Sequence, residues 1–142
     1  IPPVIFFVPC VFGGNIENFI FRKIQFSNNL LVISGFFIFI SAILIMLFSL
    51  RAFYSNNESP APFIKTKYII TTGIFKYTRN PMYISFFVSA FGISTIFSSF
   101  GILFGAIIGI VLIHKFVVLE EEKQLNKIKG FKEYKRVTRR WL

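Results

Sequence analysis

Residues Leu30 to Leu50 form an unbroken run of 21 residues that carries no charge, holds a single glycine and closes at Arg51. As a helix rising about 1.5 Å per residue, it matches a hydrocarbon core about 30 Å thick. Such a helix must lie in a large protein core or in lipid. The chain has 142 residues, is 54% hydrophobic and contains 21 Phe. A soluble core of that size cannot bury so much apolar side chain. The class this implies is an integral membrane protein.

The remaining apolar segments fit the same class. Residues 81–119 are too long for one crossing, and the step Ser98-Ser99-Phe100-Gly101 divides them into spans near 81–99 and 101–119. The N-terminal run is less regular. Pro2, Pro3 and Pro9 disfavour a straight helix, and Gly13-Gly14-Asn15 and Glu17 interrupt its apolarity. It reads as a kinked span over 3–21, with a re-entrant or interfacial segment as the alternative. The expected fold is all-α: one domain over 1–142, an integral membrane bundle of about four transmembrane helices with an amphipathic C-terminal tail. No positively charged stretch precedes the first apolar run, so no signal peptide is expected.

Charge sets the orientation. Five Lys and Arg lie between Arg51 and Arg79, eight follow Leu119, and Arg22-Lys23 add two. The two rich segments flank the last helical pair and so share one side. The positive-inside rule makes that side cytoplasmic and puts both termini there, with a cytoplasmic loop over 51–80 and a cytoplasmic tail over 120–142. The net charge of +10 is spread between and after apolar runs. That placement fits orientation and attraction to anionic membrane lipids, and it does not form the continuous basic footprint of a nucleic-acid binder.

Gly101, Gly105 and Gly109 recur every four residues and line one helical face, which permits close helix approach in lipid. Packing within the bundle is the first use for such a stripe and homodimerisation the second; the oligomeric state is not fixed by it. In the tail, Leu125, Ile128, Phe131, Tyr134, Val137 and Trp141 recur at helical intervals. An amphipathic helix follows, lying at the interface or folded over the bundle, with Gly130 as a break and Trp141 suited to a headgroup anchor.

Some chemistries are absent. Cys10 is the one cysteine, so no internal disulfide can form, and its apolar setting suits packing as well as reactivity. No metal-ligand spacing, phosphate loop or Ser-His-Asp order appears. His114 is the single histidine. It can act in acid–base chemistry, or it can simply sit hydrogen-bonded within the bundle.

Three polar motifs stand out because all fall on one side. TTGIFKYTRNPMYIS (Thr71 to Ser85) gathers Lys76, Arg79, Asn80-Pro81, Tyr77 and Tyr83 where the chain turns into a span. Arg and Asn are costly at membrane depth and mark functional sites, although Pro at a first helical turn with interfacial Tyr and Arg is the plainer reading. Glu120-Glu121-Glu122 follows the last span, and Arg139-Arg140-Trp141 ends the tail. The acids suit the start of a solvated helix. Combined with the basic and aromatic cluster they can instead enclose a site, with carboxylates and rings for a cation and arginines for an anion.

With HKFVVLEEEKQL and the terminal EYKRVTRRWL, these motifs resemble the isoprenylcysteine carboxyl methyltransferase family, which is related to the phospholipid N-methyltransferases. The resemblance covers about residues 60–142 by motif and the earlier helices by length and hydrophobicity. It implies a membrane enzyme that uses S-adenosylmethionine. By the resemblance, Lys67, Tyr68, Ile69, Ile70, Gly73 and Phe75 wrap the cofactor, Arg79-Asn80-Pro81-Met82-Tyr83 is the signature motif, and Glu121, with Glu122 beside it, is the cofactor-contacting carboxylate. Arg140-Trp141 resembles the closing tail motif. The chain departs from eukaryotic members at Asn80 (His there), at Phe75 (usually Tyr), at Val117 (an Arg there that contacts the substrate carboxylate), and in a tail slightly shorter between Leu125 and Tyr134.

The implied acceptor is the carboxylate of a prenylcysteine-like or other lipophilic, prenylated molecule, or alternatively a phospholipid amine. A non-enzymatic bundle that binds lipids or a partner is the rival from another class. A carboxylate acceptor needs only positioning and exclusion of water. Arg79 or Arg140 would orient it. An amine acceptor needs a base, for which Glu122 or Tyr83 is the candidate.

Overall fold

The computed structural model describes residues 2–21, 28–61 and 68–141. Lipid offers no hydrogen bonds to the backbone, so the spanning elements are helices that satisfy their own amides. The apolar helices are α1 (Pro2–Phe21), α2 (Asn29–Ser55), α3 (Pro81–Ile96) and α4 (Phe100–Ile113). A π-helical turn, His114–Val118, continues α4 without a break into α5 (Leu119–Leu125). A short 3-10 turn, Gly73–Lys76, precedes α3, and α6 (Phe131–Val137) follows α5. Among the described residues, three stretches are long and apolar enough to cross a membrane: Pro2–Ile20, Asn29–Ser55 and Phe100–Leu125; α3 is a shorter apolar helix. The protein is an all-α, multi-pass membrane bundle.

The boundaries differ from expectation in instructive ways. α1 is one 20-residue helix with Pro9 inside it, not a re-entrant segment. Its cohesion comes from α4, against which it packs along its length. α2 runs past Arg51 to Ser55, where the N–H of Asn56 turns back onto the carbonyls of Phe53 and Tyr54. α3 stops at Ile96, three residues early, because Phe97, Ser98 and Ser99 fold back onto its last carbonyls.

The helices pack as α2 on α3, α3 on α4, and α4 on α1. The glycine stripe explains the last contact. A Cβ on Gly101 would strike the carbonyl of Gly13, one on Gly105 the carbonyl of Pro9, and one on Gly109 the carbonyl of Phe6. The stripe therefore serves packing within the chain. Gly35 and Gly92 permit the same approach between α2 and α3.

Glu17, which interrupts the apolarity of α1, caps α4. It accepts the N–H of Phe100 at 3.1 Å and of Gly101 at 3.0 Å, together with the Ser99 hydroxyl. These are donors that a helix start leaves orphaned. Gly130 breaks the tail with φ +91°, a left-handed conformation that glycine adopts without cost. The tail then folds over the bundle, burying Phe131 and Tyr134. Trp141 is half-buried against the core, its ring 6.0 Å from that of His114, rather than projecting from the bundle.

Candidate active site

Asn80 and Pro81 begin α3, with Pro at the first helical position, where its missing N–H costs nothing. The Asn80 side chain makes no cap bond. Its Nδ2 donates to the carbonyl of Arg140 at 2.9 Å, and the Thr78 hydroxyl donates to the same oxygen at 3.2 Å. The Arg79 N–H donates to the carbonyl of Arg139 at 3.0 Å. The C-terminal strap is thereby stitched along the loop that enters α3.

The three adjacent glutamates meet three different environments. Glu120 is exposed and pairs with Lys123 at 2.9 Å. Glu121 accepts the Tyr83 hydroxyl at 2.8 Å. Glu122 is buried and gathers cations: Arg79 Nη1 at 2.7 Å, Arg140 Nε at 2.9 Å and Nη2 at 2.8 Å, and Lys135 Nζ at 4.0 Å. A buried carboxylate persists only with such compensation. Its bonds in turn hold the Arg140 guanidinium above its ordinary pKa. Arg79 lies over the Phe131 ring at 6.0 Å, a cation–π contact. Its Nε is buried with no hydrogen-bond partner among the described residues.

Beside these groups opens a cavity of about 590 Å³, within the range of small-molecule sites. Of the residues assigned from the sequence, Tyr68, Ile69, Ile70, Phe75, Arg79, Asn80, Glu121 and Glu122 line it. Tyr83 reaches it through Glu121, and Arg140 through Glu122. Gly73 is exposed, Pro81 buried and Met82 half-buried, and none of the three is a lining residue. Lys67 lies outside the described residues. His114 stays outside the cavity wall; its Nδ1 is buried without a hydrogen-bond partner among the described residues.

Sequence reasoning missed part of the wall. Phe53 at the end of α2 packs edge-on against Phe75, with ring centroids 5.4 Å apart. Phe131 and Tyr134 also line the cavity. The Tyr134 hydroxyl donates to the carbonyl of Phe75 at 2.7 Å. Burial pushes its pKa up to about 12 against the opposing pull of Arg79, so it remains a neutral donor. The signal for Phe131 and Tyr134 was present in the tail periodicity, but the surface they face was not. Among the described residues no group of three or more His, Cys, Asp or Glu is placed to hold a metal ion.

This donor set suits a nucleoside-sized cation: aromatic and aliphatic walls, with a carboxylate facing inward. Fold and site together define an integral-membrane helical protein with a ligand-sized cavity at its polar end. The chain belongs to the phospholipid methyltransferase family, which it matches over residues 30–131, from the start of α2 to the first residue of α6. It is therefore an S-adenosylmethionine-dependent membrane methyltransferase that acts on a lipophilic substrate. The resemblance to the isoprenylcysteine enzymes carries at the level of this broader kinship and no further. No match was found among curated proteins or among solved structures.

Proposed function

We propose that the chain N-methylates the amino headgroup of a phospholipid of the phosphatidylethanolamine type. The family match favours this acceptor over a prenylcysteine carboxylate. The observation that carries it is the use of the arginines. Both that could orient an anionic acceptor are committed to Glu122, whereas Glu121 lines the cavity and takes one hydrogen bond from Tyr83. Val117, at the position where the isoprenylcysteine resemblance implies a substrate-binding Arg, is buried in the apolar core.

Tyr68, Ile69, Ile70 and Phe75 form the wall against which the nucleoside would lie, with Asn80 at its edge. Gly73, Pro81 and Met82 shape the backbone around that wall, and Lys67 belongs to the same segment. S-adenosylmethionine, when bound, supplies an electrophilic methyl group, its sulfur keeping the electron pair of the bond that breaks. The chain must strip the acceptor ammonium of a proton, hold the amine in line and exclude water. In this reading Glu121, rather than Glu122 or Tyr83, would accept that proton, with the Tyr83 hydroxyl orienting it. Glu122, tied to two guanidiniums, is a poor base; it instead fixes Arg79 and the strap. The acyl chains remain in lipid beside the helices. The basic segments 51–79 and 120–142 orient this end toward the cytoplasm.

The test is transfer of radiolabelled methyl groups by the purified protein in lipid nanodiscs, to phosphatidylethanolamine or to a prenylcysteine analogue. Base-stable labelled phospholipid is the expected product. A base-labile ester from the analogue alone would replace the amine with a carboxylate. The absence of saturable calorimetric heat with S-adenosylmethionine would remove the site altogether.

A further inference from the structure

Glu58 belongs to none of the motifs above. It follows the end of α2, and yet it is only 8% exposed. Its Oε1 accepts the backbone N–H of Tyr68 at 2.8 Å, and its own N–H donates to the carbonyl of Phe53 at 3.0 Å. The stretch just after it, Ser59 to Ala61, lines the cavity, as do Tyr68 to Ile70 and Phe53. Its side chain therefore ties the stretch 53–61, in which it lies, to the stretch 68–70, and both line the cavity.

Burying a carboxyl group is costly unless hydrogen bonds compensate it, and the Tyr68 amide supplies one. Glutamate also has the reach to cross from one backbone stretch to the other. A shorter or apolar side chain would leave the Tyr68 amide without this acceptor.

We infer that Glu58 is a positioning residue for the methyl donor: by holding the Tyr68 amide it sets the spacing of the wall that receives the nucleoside. This deepens the functional reading above and rests on it. Glu58 touches no reacting atom in this account. Its influence falls on donor binding, because the residues it aligns line the cavity, whereas Glu121 and Tyr83 are held by α5 and α3.

The experiment is calorimetric titration of S-adenosylhomocysteine into the full chain in detergent, for wild type, Glu58→Ala and Glu58→Gln. KM values for donor and phospholipid and thermal unfolding are measured in parallel. Expected for Glu58→Ala is a donor Kd weaker by about tenfold, with phospholipid KM and Tm little changed. Glu58→Gln keeps an acceptor oxygen and is expected to stay within about twofold of wild type. Wild-type donor affinity in Glu58→Ala would overturn the inference. So would a Glu58→Gln variant as weak as Glu58→Ala, since charge rather than the hydrogen bond would then matter. A fall in Tm with a parallel rise in both KM values would reduce Glu58 to a fold anchor and also overturn it. Should Glu58→Ala not fold, Glu58→Asp, which withdraws the carboxylate by one methylene, is read by the same criteria. Failure of wild type itself to bind would count against the methyltransferase site, not against this role of Glu58.

Discussion

The seam between α1 and α4 and the cavity at the polar end are built from opposite materials. The seam is made by glycines of α4 that meet the backbone of α1: Gly101 against Gly13, Gly105 against Pro9 and Cys10, and Gly109 against Phe6. The cavity end is made of long polar side chains that meet across wide gaps in the chain, Arg79 with Glu122 and Tyr83 with Glu121. In lipid there is no hydrophobic push between helices, so the seam relies on close backbone approach. The polar end needs every charge satisfied locally, so it relies on pairing. One region should respond to volume and the other to charge.

The sharpest way to break this contrast is at the proposed proton acceptor. Glu121→Gln keeps the shape and removes the charge; methyl transfer to phosphatidylethanolamine is expected to fall by about 10²–10⁴-fold, with Tm nearly unchanged. Unaltered initial rates would sink the assignment. Next comes Glu122→Leu, which strands the buried guanidinium of Arg79 and unties the partly exposed Arg140. About 3–5 kcal/mol of stability should go, read as detergent-titrated unfolding. If the variant is as stable as wild type, the strap is held by its backbone bonds alone.

The seam gives a smaller effect of a different kind. Gly105→Val places carbon against the Pro9 carbonyl, and overpacking of this sort costs about 1–3 kcal/mol. Thermal unfolding should record the loss, while the folded fraction should bind the donor with unchanged affinity. Altered donor affinity would mean that seam and cavity are coupled. The smallest effect concerns Tyr134. Its phenol keeps its proton in the folded chain from its ordinary value near 10 up to about 12. Across that window the folded state binds more protons than the unfolded one, so stability falls as pH rises. Tyr134→Phe should lose about 1 kcal/mol near neutrality and flatten that alkaline decline; an equally steep decline would assign it to another group.

The same contrast explains what was legible in the sequence. The spans followed from apolar length, and the glycine stripe from its four-residue spacing, because both signals are local. The motif Arg79 to Tyr83 and the glutamate triplet were also visible. Their separate fates were not, since a solvated helix start predicts three equivalent acids. Only the approach of α3 and the strap divides them into an exposed pair, a hydroxyl-bonded carboxylate and a buried triad centre. Phe53, Phe131 and Tyr134 read as ordinary apolar positions until their neighbours were known. Trp141 likewise suited a headgroup anchor until His114 proved to be its neighbour.

The π-helical turn at His114–Val118 carries a last consequence. A widened turn accommodates one surplus residue, so everything beyond it is rotated by about 100° relative to an unbroken α-helix. Removing a single residue there, even the exposed Phe116, would swing all three acids to new bearings without altering one of them. If the proposed site is right, the count of residues between the fourth span and its carboxylates matters to activity as much as their identity.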